Sequence, residues 1–138
     1  MSRLFKGLTV AALGLATSAV FASPTFLITH NKTNVESNAY VEGTIDSHQP
    51  TKANSDGKVH WAVVRMVCFG HIAPDGKCPA LIKMETNTPH PVTLGWLYLH
   101  IESGDITPKS LKANGYTLTV NGPGEATITP ETPRLQNN

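Results

Sequence analysis

The sequence predicts an all-β fold, an antiparallel β-sandwich of immunoglobulin-like architecture with seven or eight short strands and one local disulfide. Three observations predict it. Short β-branched and aromatic runs alternate with clusters of Gly, Pro, Asn and Asp. No run after residue 22 sustains a 3.6-residue apolar period. The only two cysteines, Cys68 and Cys78, lie at the end of one predicted strand and the start of the next.

The longest apolar and β-branched run after the N-terminal segment spans residues 59–69 and predicts a central strand. The chain then turns through residues 70–77 and arrives at Cys78. In an exported chain two cysteines favour a disulfide over free thiols. Closing an 11-residue loop between Cys68 and Cys78 would stabilise the fold by about 2.5 to 3 kcal/mol and would fix the strand register.

The other predicted strands are shorter, and turn-forming residues separate them. They span residues 25–30, 39–45, 80–85, 92–103, 109–112 (an edge candidate), 116–120 and 126–129. Residues 46–58 contain Pro50, Asp56 and Gly57 and no large apolar residue, which predicts an exposed loop. This loop is also a place where function could reside.

The first 22 residues have the layout of a secretory signal, with Arg3 and Lys6 before an apolar run and small residues at its end. We expect cleavage after Ala22, which leaves residues 23–138 as one domain with a frayed tail from about residue 130. The apolar run of about 14 residues is short of the roughly 20 that span a bilayer, so no transmembrane anchor is expected after cleavage. The predicted location is the periplasm, with secretion as the alternative.

Charge excludes some partners. Arg3 and Lys6 belong to the leader, which leaves nine basic and ten acidic residues, a net charge of −1. Nucleic-acid binding needs a basic face to neutralise phosphates, and no cluster of Lys and Arg is present. An anionic membrane surface is disfavoured for the same reason. The expected partner is therefore a protein, or a second copy of the chain in a homodimer, and no cofactor is expected.

The predicted strands 59–69 and 92–103 are apolar on both faces, although only one face of a sandwich strand meets the core. One interpretation is an exposed apolar surface for a protein partner. Its candidate interface residues are Trp61, Arg65, Phe69, Trp96 and Tyr98. The alternative is that a bulge switches the faces, or that a loop covers the surface and the Arg65 stem lies over its neighbours.

Two chemical alternatives remain. Cys68, His71 and Cys78, with Met66 and Met84, would suit Cu(I) or Zn if the thiols were reduced, but their spacing matches no motif with a known mechanism. The disulfide is therefore favoured over a metal. Residues 46–48, Asp-Ser-His, have the residue types of a catalytic triad, yet consecutive side chains point to opposite sides of an extended chain. We expect no catalytic residue and no enzymatic activity.

The leader is followed by residues 31–40 (NKTNVESNAY), and residues 104–108 (GDITP) precede a segment 113–124 that begins ANGY. In these stretches the chain resembles small exported β proteins of the intracellular Legionellales, with the EirA-type periplasmic proteins nearest. The resemblance implies an accessory factor for growth inside host cells or for a secretion system. It transfers no binding or catalytic residue.

The predicted function is that of a non-enzymatic periplasmic protein that acts by protein–protein contact. A secreted effector or adhesin-like binding module is the first alternative. A periplasmic protein that binds soft metals is the second.

Overall fold

Within residues 22–131, ten strands form where β-branched and apolar residues lie between turn-forming segments, and one helix follows the fourth strand. A computed structural model describes residues 22–131. The strands are β1 (Phe26–Asn31), β2 (Ser37–Val41), β3 (Ile45–Asp46), β4 (Ser55–His60), β5 (Lys77–Met84), β6 (Val92–His100), β7 (Ile106–Thr107), β8 (Ser110–Ala113), β9 (Tyr116–Gly122) and β10 (Glu125–Pro130). The helix α1 (Trp61–Cys68) follows β4. The predicted leader up to residue 21 and the tail after residue 131 lie outside the described residues.

The strands form two five-stranded sheets, which confirms the predicted all-β sandwich. Sheet A has the order β4-β1-β10-β9-β8, and sheet B has the order β3-β2-β5-β6-β7. Every neighbouring pair is antiparallel except β1 and β10, which run parallel. Across the sandwich, β6 of sheet B lies against β8 and β9 of sheet A.

The core lies between the inner faces of the two sheets, and α1 contributes to it from one side. In β6, Leu97 and Leu99 point inward while Trp96 and Tyr98 point outward, as the alternation of the sequence predicts. Buried apolar side chains come from sheet A (Leu118, Ala126, Ile128), from sheet B (Val41, Cys78, Ala80, Met84, Leu94, Leu97, Leu99, Ile106), from α1 (Trp61, Val64, Cys68) and from Ile101 after β6.

A bulge in β6 brings Leu94 into the core as well. The register of β5 and β6 shifts between Ile82 and Lys83, so that Leu94 has no partner in the ladder. Gly95 has a φ of +148°, and a Cβ at this position would lie 3.0 Å from the Leu111 side chain. The face-switching bulge that the sequence left open as an alternative therefore exists in β6.

The predicted central strand over residues 59–69 is wrong beyond His60. Val59 and His60 end β4, and Trp61–Cys68 is helical. The buried positions are Trp61, Val64 and Cys68, which lie three and four residues apart on one helix face. The apolar run on both faces of a supposed strand is thus the core-facing stripe of a short helix, together with exposed positions on its other side.

Two further segments differ from the sequence prediction. Residues 39–45 are not one strand, because a turn at residues 42–44 with positive φ at Glu42 and Gly43 separates β2 from β3. The predicted loop 46–58 contains most of β4, and its Thr51 forms a bridge with Ser37. Within the described residues, no helix has the length and apolar character that a membrane span requires.

Candidate interaction surface

Five apolar side chains share the outer face of sheet B. Strand pairing places Tyr40 beside Leu81 and Leu81 beside Trp96, which forms one row across β2, β5 and β6. In the adjacent row, Pro79 of β5 pairs with Tyr98 of β6. Cross-strand partners lie about 5 Å apart, so their side chains form one continuous surface. We call Tyr40, Pro79, Leu81, Trp96 and Tyr98 the aromatic face.

The aromatic face is held in place by its neighbours but remains open to solvent. A Cβ built on Gly43 would lie 3.0 Å from the Trp96 ring, so the β2–β3 turn supports this indole closely. The Lys83 ammonium lies 5.1 Å from the centre of the Tyr40 ring, within cation–π range. Trp96 is 39% exposed and Tyr98 is 40% exposed. Large, well-positioned aromatic side chains of this kind are the typical anchors of protein interfaces.

Charged groups of both signs surround the aromatic face. Lys77 pairs with His100 at one end of the β5–β6 ladder, and Lys83 lies toward the other end. Glu42, in the β2–β3 turn, donates its backbone N–H to the Pro79 carbonyl and lies 3.5 Å from the Nδ1 of His71. An apolar centre with a polar rim is the usual organisation of a protein–protein interface.

The structure separates the five predicted interface residues. Trp96 and Tyr98 lie together on the aromatic face, as the alternation in β6 predicts. Trp61 does not reach the surface: it is 3% exposed, and its Nε1–H donates a 3.0 Å hydrogen bond to the Ile101 carbonyl. The prediction that Trp61 is exposed is therefore wrong, because this residue lies on the core-facing side of a helix and not on the outer face of a strand.

Arg65 lies on α1 and Phe69 directly follows it, so neither belongs to the strands that form the aromatic face. The Arg65 guanidinium donates to the Ser23 hydroxyl at 3.2 Å and lies 3.8 Å from the Glu102 carboxylate. Phe69 is 82% exposed at the C-terminal end of the helix. The segment after Phe69 approaches the rim of the aromatic face, because His71 contacts Glu42. The participation of Arg65 and Phe69 in an interface stays a prediction.

The predicted disulfide is confirmed, although it joins different elements from those expected. Cys68 ends α1 and Cys78 lies in β5, with their Cα atoms 6.0 Å apart. Both cysteines are buried. With both sulfurs in the bridge, the thiolates that the soft-metal alternative requires are not free. Among residues 22–131, no group of three His, Cys, Asp or Glu side chains could hold a metal ion.

Residues 46–48 form a polar turn and not a catalytic relay. Asp46 Oδ1 accepts hydrogen bonds from the His48 backbone at 2.7 Å and from Asn38 Nδ2 at 2.9 Å. These two bonds, the first more than the second, hold the pKa of the Asp46 carboxyl below its usual value. The Ser47 hydroxyl donates to Asn38 Oδ1, so it is directed at an amide and not at an imidazole.

The outer face of sheet A carries a charged cluster that the sequence analysis did not identify. His30 of β1 contacts Asp56 of β4 through Nδ1 at 2.8 Å and Glu125 of β10 through Nε2 at 2.6 Å. The hydrogen bond to Asp56, followed by that to Glu125, raises the pKa of His30. The three residues are far apart in the chain, so only the strand order of sheet A could have revealed the cluster.

Together, two sheets, a buried disulfide and a solvent-facing aromatic surface define a small disulfide-bonded β-sandwich. The family model described as "T2SS substrate NttC" matches residues 1–131, so the chain belongs to the NttC family of type II secretion system substrates. None of the curated proteins matches the chain.

A solved structure agrees with the family match. The crystal structure of the Legionella pneumophila type II secretion system substrate NttC is similar to this chain, with a TM-score of 0.76 and 52% sequence identity. The similarity covers 79% of this chain and 100% of that chain. The expected resemblance to exported β proteins of the Legionellales is thereby supported in its general form. Its EirA-type version stays a prediction.

Proposed function

We propose that this chain is a non-enzymatic secreted protein that acts by protein–protein contact through the aromatic face. The observation that carries the proposal is the exposure of Trp96 and Tyr98 on an ordered strand. Strand β6 sets the side of the sheet to which both residues point, and each ring presents a large apolar area to solvent. Aromatic side chains in this state lose little conformational entropy when they bind, because the fold has already restricted them.

The export route is supported by the family and by the disulfide. A relative with 52% identity is a substrate of the type II secretion system. The Cys68–Cys78 bridge requires an oxidising environment, which the bacterial periplasm provides. We propose that the chain loses its leader, folds and oxidises in the periplasm, and is then secreted. We therefore favour secretion from the cell over retention in the periplasm. Retention in the periplasm remains the alternative hypothesis.

The partner is expected to be a protein or a second copy of the chain. The rim of the aromatic face carries Lys77 and Lys83 as well as Glu42, so neither charge sign dominates it. A surface of mixed charge with an aromatic centre suits a protein better than a polyanion. A role in growth inside host cells follows only from the resemblance to exported Legionellales proteins and is part of the proposal.

Cell fractionation tests the proposed route. The full chain is produced with its leader in a strain with a working type II secretion system and in a matched strain that lacks it. We expect the protein in the culture medium of the first strain and in the periplasm of the second. Accumulation in the periplasm of both strains would contradict secretion and would favour the periplasmic version.

Light scattering of the exported, oxidised protein tests self-association through the aromatic face. We expect a dimer for the unsubstituted protein and a monomer for the double variant Trp96→Ala and Tyr98→Ala. The control is Phe26→Ala, because Phe26 lies on the outer side of sheet A, with its ring tilted against the His60 ring. A dimer that survives the double variant, or that Phe26→Ala dissociates, would exclude this version.

A further inference from the structure

The two sheets and α1 surround a partly open apolar cavity of about 110 Å³. It lies where α1 packs beside β1 and β4 and faces β2 and β5 of the other sheet. The Cys68–Cys78 bridge forms part of its wall. The cavity lies between the inner faces of the sheets, whereas the aromatic face lies on the outer side of sheet B.

The wall of the cavity is incompletely closed by the fold. Leu27 and Val59 pair across β1 and β4 and line the cavity, yet both are only partly buried. The same holds for Val67 of α1 and for Ile82 of β5. These are core positions by sequence pattern, and their residual exposure shows that solvent-sized space reaches them. These apolar side chains therefore pack against the core on one side and face the cavity on the other, where they lack the atomic contacts of a close-packed interior.

The most exposed residue of the cavity lining is polar and uncharged. Gln49 lines the cavity and is exposed, and Ser47 beside it is partly exposed. None of the residues that line the cavity carries a formal charge. A charged ligand would lose its hydration without gaining a counter-charge, which is unfavourable. An uncharged polar group can instead remain beside Gln49, whose side-chain amide can both donate and accept hydrogen bonds.

We propose that this cavity binds the alkyl portion of a small uncharged amphiphile, such as an alcohol with about four to six carbons. An apolar cavity of about 150 Å³ in another protein stays dry and binds benzene, so the volume found here suits a ligand of similar or slightly smaller apolar size. The alkyl chain would contact Leu27, Val59, Val67 and Ile82, and its hydroxyl would stay near Ser47 and Gln49. The proposal does not depend on the aromatic face.

A titration with 1-hexanol, followed by NMR of ¹³C-labelled methyl groups, tests the proposal on the exported, oxidised protein. We expect saturable shifts at the methyls of Val59, Val67 and Ile82. Shifts that do not saturate, or that occur at residues outside the cavity wall, would overturn it. Binding to the aromatic face would instead perturb the rings of Trp96 and Tyr98.

A series of alcohols provides a test that needs no substitution. Each added methylene that enters an apolar cavity should strengthen binding about fourfold. We expect this increase from 1-propanol to about 1-hexanol and little further gain for longer chains, because the cavity is then full. A uniform increase up to 1-decanol indicates an open surface, and no increase indicates no apolar site. Either result would overturn the proposal.

Filling the cavity provides the complementary test. Ala39 of β2 lines it, so Ala39→Leu should abolish the saturable shifts. Ala62 lies exposed on α1 and does not line the cavity, so Ala62→Leu is the matched control and should bind as the unsubstituted protein does. Unchanged hexanol binding by a folded Ala39→Leu variant would overturn the proposal. If that variant does not fold, the alcohol series decides.

Discussion

The two tryptophans of this chain have opposite roles, although both are large aromatic residues in apolar runs. Trp61 fills the core and donates its indole N–H to the Ile101 carbonyl. Trp96 lies on the outer side of β6 against the Gly43 turn. Trp61 therefore stabilises the fold, whereas Trp96 is available for contact with a protein partner. Substitutions at the two positions should therefore separate stability from binding.

Trp61→Phe should destabilise the protein by about 1 to 3 kcal/mol, because it removes the indole donor and leaves a buried carbonyl without its partner. Urea unfolding of the oxidised protein measures this free energy. Trp96→Phe is the matched control and should change stability by less than about 0.5 kcal/mol, as exposed substitutions usually do. Equal losses at both positions would contradict the assignment of Trp61 to the core.

His30 is one residue through which pH acts on the fold. As an imidazolium it can donate both ring N–H groups, one to Asp56 and one to Glu125. Its pKa is raised in the folded protein above the ordinary value of 6.5. The folded state therefore holds this proton more tightly than the unfolded state. The contribution of this proton to the free energy of unfolding is fully present below pH 6.5, and it is lost as the pH rises through the pKa of His30 in the folded protein.

His30→Gln should consequently lower stability at about pH 5.5 and have a smaller effect at about pH 8.5. We expect the loss at the lower pH to be at most about 1 kcal/mol for each ion pair, because the cluster is partly exposed to solvent. Thermal unfolding at both pH values measures it. His90→Gln is the control, since His90 has no ion pair with the described residues. An effect of His30→Gln that does not change with pH would contradict this role.

The exposure of Trp96 and Tyr98 was predictable from sequence, whereas the burial of Trp61 was not. Residues 96–99 alternate between aromatic and aliphatic side chains, so a strand assignment places Trp96 and Tyr98 on one face and Leu97 and Leu99 on the other. The face of Trp61 depends on whether its run is a strand or a helix. The His30 cluster was invisible for another reason, because its three members come from β1, β4 and β10, and sequence does not give the strand order.

At the scale of elements, α1 is the part of the fold that local propensity predicts least well. Val63, Val64 and Val67 favour strands by their branched side chains. Tertiary packing overrides this preference because Trp61, Val64 and Cys68 form a helical stripe that fills the side of the sandwich. The spacing of three and four residues was present in the sequence. In an eight-residue helix it covers only two turns, which is too short to distinguish a helix from a strand by periodicity.

The disulfide connects this helix to β5 and thereby links the two sheets. The chain leaves sheet A at the end of β4, passes through α1 and enters sheet B at β5. The Cys68–Cys78 bridge closes the connection after α1 across a sequence separation of ten residues. It was expected to fix the register of two adjacent strands. In the structure it fixes the end of the helix against the second sheet.

Replacing both cysteines by alanine should reduce stability by about 2.5 to 3 kcal/mol, since the unfolded chain then lacks an 11-residue closed loop. Urea unfolding with and without reductant measures the change. The reductant should destabilise the unsubstituted protein by a similar amount and leave the double variant unaffected. A reductant effect that persists in the double variant would show that the loss has another cause.

Most strands were predictable because their apolar residues alternate and turn-forming residues bound them. β4 was missed because Ser55–His60 contains Asp56 and Gly57 and resembles a loop, although it pairs with β1 over its whole length. The parallel pairing of β1 with β10 was also missed, since it joins the two ends of the described chain. Pairings between such distant segments leave no local signal.

For the whole molecule, the two outer faces of the sandwich differ in chemistry. The outer side of sheet A carries the charged His30 cluster, and the outer side of sheet B carries the aromatic face. A protein that binds through one side only would show this asymmetry. The family relationship to a secreted substrate places that surface outside the cell in our proposal.

Site-specific photocrosslinking tests the proposed surface most directly. A benzophenone amino acid replaces Tyr98 on sheet B or, as the matched control, Phe26 on sheet A. Each variant is produced with its leader, is exported by living cells, and is crosslinked where those cells deliver it. We expect one discrete crosslinked product from position 98 and none from position 26, and Trp96→Ala should remove the product from position 98. Equal products from both positions, or a product that Trp96→Ala leaves unchanged, would contradict contact through the aromatic face.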